Sequence, residues 1–298
     1  MNATEIDMPA GELRENEPMA RHTTWRVGGP ARLFYRPAGI DDLAAFLADL
    51  DPALPVLMLG LGSNLLVRDG GFPGAVIALQ GTLDRLVRVA PDTFEAEAGV
   101  TCAKLAREAA RAGLAGAEFL AGIPGTVGGA LAMNAGAFGG ETWEAVTAVQ
   151  TVDRRGVLRW RRPGDYRVGY RQVEGPEGEW FVAGRFRYAP GDVAAAQRRI
   201  RALLARRGDT QPTRQPSCGS VFRNPPGDHA ARLIEAAGLK GACRGGACVS
   251  ELHANFIVNT GGATAADIEG LIRHVQAQVA ARFGVRLEPE VRIVGVSA

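Results

Sequence analysis

The uncharged stretch 119–140, FLAGIPGTVGGALAMNAGAFGG, constrains this chain more than any other segment. It holds 22 residues, seven of them glycines and one a proline. A bilayer-spanning helix needs roughly 20 mostly apolar residues, so length alone admits a membrane span. The glycines oppose it, because each costs about 1 kcal/mol relative to Ala in a helix interior. Pro124 adds a break in the i→i−4 ladder. Glycines instead let backbone N–H groups approach a ligand closely and adopt the φ > 0 conformations that gather around anions. A cofactor cradle is the favoured reading, ahead of a Gly-rich packing segment, with a membrane span third.

Composition closes off other classes. A length of 298 residues allows two domains with separate cores. A net charge of +2, with no Lys/Arg block interleaved with aromatics, argues against nucleic acid. The N-terminal MNATEIDMPAGELRENEP is acidic and has no apolar core, so no signal peptide is expected and the cytoplasm is the default compartment. Cys102, Cys218, Cys243 and Cys248 read as small apolar filler in a reducing compartment. The Cys-x4-Cys pair lacks the partners that a metal site needs, and His22, His229, His253 and His274 show no ligand spacing. Arg207-Gly208-Asp209 is expected to be a simple turn at a helix end.

Apolar periodicity predicts helices over 41–50, 101–114, 193–206 and 264–283, the last opened by a Thr-x-x-Asp capping signal. Short apolar runs bounded by Gly predict strands at 55–59 and 75–79. Hairpins are expected at 86–89/94–98 and at 146–152/157–161. Further strands are expected at 180–188, beside a bulge, and at 256–258 and 291–294. The mixture, with antiparallel hairpins prominent, is α+β. The polar segment after helix 193–206 marks a boundary between an N-terminal and a C-terminal unit.

Two segments carry chemistry. In LGLGSNLLVRDGGFPG a strand runs into Gly60-Leu61-Gly62-Ser63-Asn64, small residues able to offer N–H groups to a phosphate. A dinucleotide fingerprint of the Rossmann kind would need glycine where Leu65 stands, so that fold is excluded. Two such Gly-rich segments in one domain can cradle a long dinucleotide from both sides.

With AGIPGTVGGALAMNAGAFGGE, the pair resembles the vanillyl-alcohol-oxidase (PCMH) type of FAD-binding domain, in the form used by the UDP-N-acetylenolpyruvoylglucosamine reductase family. HTTWRVGGPA resembles that family's opening strand. Tyr166-Arg167, CGSVFRNP, LIEAAGLKG, GGACVSELHANFIVN and LEPEVRIVG follow in the family's order. The match runs over nearly the whole chain. It implies an N-terminal extension at 1–20, a two-part FAD-binding domain at 21–205 (about 21–80 and 81–205) and a substrate-binding domain at 206–298. It also implies non-covalent FAD, NADPH as hydride donor, and an enolpyruvyl sugar-nucleotide substrate in peptidoglycan synthesis. A monomer is expected, with no nucleic acid, membrane span or metal.

The resemblance assigns Arg167 to the substrate carboxylate, Ser220 to proton donation, and Glu290 to the developing enolate. Arg171 is a competing candidate, with Tyr166-Arg167 preferred on family spacing. Tyr166, Arg223 (where the family usually has Lys) and Asn224 are implied substrate contacts. Flavin contacts are expected from Gly60, Leu61, Gly62, Ser63, Asn64 and Leu65. On the second segment they are Gly122, Ile123, Pro124, Gly125, Thr126, Gly128, Gly129, Ala130, Asn134 and Gly136, with Thr24 and Arg26 weaker suggestions. The interval of 53 residues between Arg167 and Ser220 leaves no room for the capping insert of the family's first subtype, which implies the second, more open subtype. A sugar or hydroxy-acid oxidase and a non-catalytic nucleotide-binding protein stand as alternatives.

Overall fold

The computed structural model describes residues 11–298, so the reading of the leader at 1–18 lies largely outside the described residues. From Gly11 onward the chain is already part of the fold, and no separate extension reaches residue 20. Strand β1 (Glu12–Pro18) pairs antiparallel with β2 (Pro30–Arg36). Helix α1 (Ile40–Asp49) crosses to β3 (Val56–Leu59), followed by β4 (Leu65–Val67) and β5 (Phe72–Ala78). The sheet order is β1-β2-β5-β3, with β5 parallel to both β2 and β3. Both faces are covered, so Tyr35 and Ile77 pack on α1 through Leu43, Phe46 and Leu47, while Phe34 and Val76 face Leu57 and Leu59. Apolar continuity in β5 is what a strand buried on both faces requires.

A second, antiparallel sheet begins with the hairpin β6 (Leu86–Ala90) and β7 (Thr93–Glu97). Helix α2 (Cys102–Arg111) follows, its Thr101 side chain accepting from the Lys104 N–H as an N-cap. The short β8 (Leu114–Ala115) leads into the Gly-rich stretch. There α3 (Val127–Met133) forms, then the small hairpin β9 (Gly136–Ala137) and β10 (Gly140–Glu141). Glycine content argued against helix across this run, yet two turns form. Gly128 explains why, because a Cβ there would lie 2.8 Å from Ala98 Cβ, so glycine lets α3 lie against the sheet.

Strands β11 (Val146–Asp153), β12 (Leu158–Arg161), β13 (Arg167–Gly169), β14 (Gln172–Glu174) and β15 (Glu179–Arg187) complete this part. The sheet runs β12-β11-β15-β7-β6, and register shifts between β11 and β15 supply the expected bulge. After the short β16 (Ala189–Pro190), α4 (Val193–Thr210) packs Ala196 and Ile200 against the α2 and α3 core. The helix extends past residue 206, so Arg207-Gly208-Asp209 is its last turn rather than a free turn.

The C-terminal unit contains α5 (Ala230–Ala236), the meander β17 (Cys243–Arg244), β18 (Ala247–Val249) and β19 (Ile257–Asn259), helix α6 (Ala265–Phe283) and β20 (Arg292–Val294). Thr264 and Asp267 form the expected capping box. The stripe Ile268, Leu271, Ile272, Val275 and Val279 is buried, and each such side chain contributes roughly 1.5–3 kcal/mol. Cys243 and Cys248 stand opposite each other on β17 and β18 and form a disulfide, so the reading of all four cysteines as apolar filler holds for Cys102 and Cys218 only.

Several contacts join this unit to the first. β20 pairs in parallel with β4. Asp69 accepts from the Ala265 and Ala266 N–H groups at 2.9 and 2.8 Å, using the orphan donors at the start of α6. Arg68 grips Glu269 through two N–H···O contacts of 2.9 and 3.1 Å. The segment 22–29 is not a strand but a loop that completes the joint: Trp25 is fully buried, its indole N–H donates to Ile257 C=O, and Asn259 donates to Trp25 C=O. No helix among the described residues is long and apolar enough to cross a membrane.

Candidate active site

A cleft of about 1660 Å³ opens between the two sheets and the C-terminal unit. The loops 60–64 and 122–126 face each other across it. A Cβ at Gly60 would lie 2.4 Å from Thr126 Oγ1, and one at Gly125 would lie 3.8 Å from Ser63 Oγ. The backbone N–H groups of residues 60–64 donate to no backbone carbonyl, which leaves them for a ligand. The first N–H groups of α3 are already used, Val127 by Val100 C=O and Gly128 by Ala98 C=O. The first loop therefore offers free donors for an anion, and the second loop supplies room. A long cleft walled by glycines and ending among apolar side chains fits FAD.

Gly60, Leu61, Gly62, Ser63, Asn64 and Leu65 all line this cleft. So do Gly122, Ile123, Pro124, Gly125, Thr126, Gly128, Gly129, Ala130 and Gly136. Asn134 does not. It ends α3 in the left-handed conformation, and its buried side chain donates to Glu141 and Gly169 C=O and accepts from the Trp143 N–H. Thr24 donates its N–H to Gly62 C=O and holds the loop from behind, while Arg26 stays off the wall. Gly62 has φ +63, and a Cβ there would sit 2.1 Å from His22 C=O. Gly62→Ala therefore meets both a backbone clash and a left-handed penalty of about 1–2 kcal/mol. The variant is expected to retain flavin about tenfold more weakly, read as the flavin-to-protein absorbance ratio.

The catalytic candidates divide. Arg167 points to solvent, its side chain 87% exposed and 3.9 Å from the less exposed Glu174. It does not reach the cleft. Arg171 does. The Tyr170-Arg171 turn between β13 and β14 puts Arg171 at φ +54 and folds its side chain inward. There Nη2 donates to Gly136 C=O at 2.7 Å, Nη1 to Asn134 C=O at 3.4 Å, and Nε lies 3.2 Å from Glu290 Oε1. The sequence offered two Tyr-Arg pairs four residues apart, and the chain reversal between them decides which arginine is inside.

Glu290 lines the same wall with Ser220 and Asn224. Burial raises the Glu290 carboxyl above the usual carboxylate range, and the charges of Arg171 and Arg223 oppose that rise. The backbone of Glu290 is clamped: its N–H donates to Val221 C=O, and Asn64 Nδ2 donates to its C=O at 3.1 Å. Asn64 thus ties the loop of the first segment to the acid. Arg223 is not on the wall, and its buried Nε has no hydrogen-bond partner. The side chain leaves the strand on the flank of Glu290, off the cleft where its substrate contact was expected. Tyr166 lines the cleft, its ring against Trp143 and Phe181 and its buried hydroxyl unpaired, with the phenol pushed up to about 12 by burial.

His253, Arg206, Gln211 and Arg292 also line the cleft and had no role in the sequence reading. His253 lay in plain view within SELHANF, and burial lowers its pKa and favours the neutral ring. Cys218, two residues before Ser220, is a buried thiol held well above its usual range by burial and then by the Glu290 charge, so it is inert as a nucleophile. His22, the histidine nearest the Gly-rich segments in sequence order, bonds Glu17 at 2.8 Å, stacks on Phe34 and lies off the wall. Among the described residues no cluster of three or more metal-ligating side chains occurs.

Comparison with known proteins agrees with this geometry. Residues 211–294 match the family described as UDP-N-acetylenolpyruvoylglucosamine reductase, C-terminal domain, and residues 31–161 match the FAD binding domain family. The UDP-N-acetylenolpyruvoylglucosamine reductase of Alkalilimnicola ehrlichii is 65% identical over 295 residues, 99% of each chain. That of Methylococcus capsulatus is 62% identical over 285 residues, 96% of this chain and 94% of the relative. The crystal structure of the enzyme from Thermus caldophilus superposes with a TM-score of 0.81 at 36% identity, covering 95% of this chain and 98% of that one.

Proposed function

The chain belongs to the UDP-N-acetylenolpyruvoylglucosamine reductase family, and from that membership we infer which of its residues carry the reaction. It is an FAD-containing, NADPH-dependent oxidoreductase acting on the enolpyruvyl group of UDP-N-acetylglucosamine enolpyruvate, a step in peptidoglycan precursor synthesis that serves cell-wall growth and division. Bound FAD, once reduced by NADPH, supplies the hydride. Hydride arrives at the terminal carbon of the enol ether, and the former double-bond electrons move onto the adjacent carbon and its carboxylate. The protein must offset that charge and return one proton to the carbon.

Arg171 offers the planar fork of its guanidinium to the substrate carboxylate. Its two backbone carbonyl contacts hold the fork in place before substrate arrives. Glu290, whose carboxyl is raised above the usual range by burial, is placed to share a proton with the enolate oxygen. Ser220, on the same wall, gives its hydroxyl proton to the basic carbon. The hydroxyl is a weak acid in water, but here its partner is a strongly basic carbon. The observation that carries this reading is the convergence of Arg171, Glu290 and Ser220 on the cleft between the two Gly-rich loops. Asn224 and Tyr166 are proposed to contact the sugar nucleotide. Where NADPH and nucleotide sugars are made, the cytoplasm, is the proposed compartment, with a monomer as the working unit.

The test is optical. Purified protein will be yellow, NADPH will bleach it without oxygen, and UDP-N-acetylglucosamine enolpyruvate will restore the colour. Persistent bleaching after substrate addition would overturn the assigned second half-reaction while sparing the fold.

A further inference from the structure

Arg171 is asked to serve two anions, the Glu290 carboxylate and the incoming substrate carboxylate. A single cation between two carboxylates leaves each only partly neutralised, and the arriving charge would push the Glu290 pKa further up. A second cation beside Glu290 relieves this, and the fold supplies one. Phe222 and Pro289 form an antiparallel bridge, flanked by the Arg223 N–H donating to Glu288 C=O at 2.9 Å and the Glu290 N–H donating to Val221 C=O at 2.7 Å. In such a pair the side chains of residues 223 and 290 leave on the same face as diagonal neighbours, roughly 7–8 Å apart at the backbone and within reach of a long side chain. Phe222 itself points the other way, into the C-terminal core.

We propose that Arg223 is a positioning residue that, from the flank, keeps the Glu290 carboxyl acidic enough to give up a shared proton, so that Arg171 is free for the substrate. The observations are the shared face, the half-buried Arg223 side chain off the cleft wall, and its buried Nε with no hydrogen-bond partner. The Arg223 charge also acts on Glu290 in the direction that opposes burial. The other groups facing Glu290 are Arg171 from the β13–β14 turn and the Cys218 thiol, with the exposed Glu288 and cleft-lining Arg292 on its own segment. This proposal rests on the role given to Glu290 above.

The experiment follows reoxidation of the reduced holoenzyme by the enolpyruvyl substrate without oxygen, from acid to alkaline pH. Glu290→Gln identifies the pH limb that belongs to Glu290 by abolishing it. Loss of a neighbouring cation raises a carboxyl pKa, so Arg223→Met should move that limb to higher pH by about one unit, and Arg223→Lys should move it by less. Flavin absorbance reports that each variant is folded, and Arg223→Gln decides if the Met variant loses its flavin. An unmoved limb, or a raised KM with the limb in place, would overturn the proposal and make Arg223 inert or a substrate contact. A limb that survives Glu290→Gln would overturn the reading of Glu290 and this proposal together.

Discussion

Ser220→Ala will be bleached by NADPH at nearly the wild-type rate and will be reoxidised by the enolpyruvyl substrate about 10²–10⁴-fold more slowly. The two half-reactions separate the roles, because the hydride enters the protein without any proton leaving Ser220. Delivery of a proton to carbon needs a donor in contact with that carbon, and of the groups on this wall only a few carry one. Cys218 is buried and held as a thiol, His253 is kept neutral by burial, and Arg171 does not release a proton. Removing one hydroxyl changes neither the cradle nor the fork that binds the carboxylate. Rapid-mixing absorbance of flavin in each direction reads both rates. Equal loss in both would remove Ser220 from the proton-donor role.

Arg171→Met will cost the second half-reaction about 10²–10³-fold, or about 2.7–4 kcal/mol, whereas Arg167→Met will stay within about twofold, as solvent-exposed substitutions do. The difference follows from position, since the two residues are chemically identical. Arg171 meets Glu290 and two backbone carbonyls inside the cleft, while Arg167 is 87% exposed. Arg171→Lys keeps the charge but loses the fork, so it should recover only part of the rate. Single-turnover reoxidation of each variant checks the series. A larger defect in the Arg167 variant would reverse the assignment.

The arginine that enters the cleft shows how far residue order reaches. DYRVGYR contains two Tyr-Arg pairs, and alternation alone would set residues 167 and 171 on one face of a continuous strand. The strand is not continuous. It turns at Tyr170-Arg171, so only the second arginine points inward, a φ +54 residue held by carbonyls from the end of α3. Those carbonyls lie about 35 residues away in sequence, and no local pattern encodes them. Arg223 shows the same limit. Its motif matched the family, but the strand pair with residues 288–290 turned its side chain from the cleft toward the flank of Glu290.

Local chemistry was legible wherever one segment sufficed. The α6 stripe and capping box, the β6–β7 and β11–β12 hairpins and the bulge beside β15 follow from spacing and from cap and turn residues. The Gly-rich loops announced close backbone approach, because glycine alone tolerates Gly60 against Thr126 and Gly62 against His22 C=O. Helix α3 was hidden by the same glycines, which serve packing on Ala98 as well as the ligand. The β17–β18 disulfide was hidden too, since only the cross-strand register sets Cys243 opposite Cys248.

By itself, then, the sequence determined the cofactor cradle and the class of fold, because each is written in contiguous residues whose chemistry is local, and its likeness to the family nominated Ser220 and Glu290 for the proton chemistry. Tertiary structure alone decided that Arg171 enters the cleft beside Glu290 while Arg167 stays outside, and how Arg68 and Asp69, just after β4, lock α6 to the first unit. Those outcomes depend on the direction in which a side chain leaves a turn or strand, and that direction is fixed only when distant segments pair.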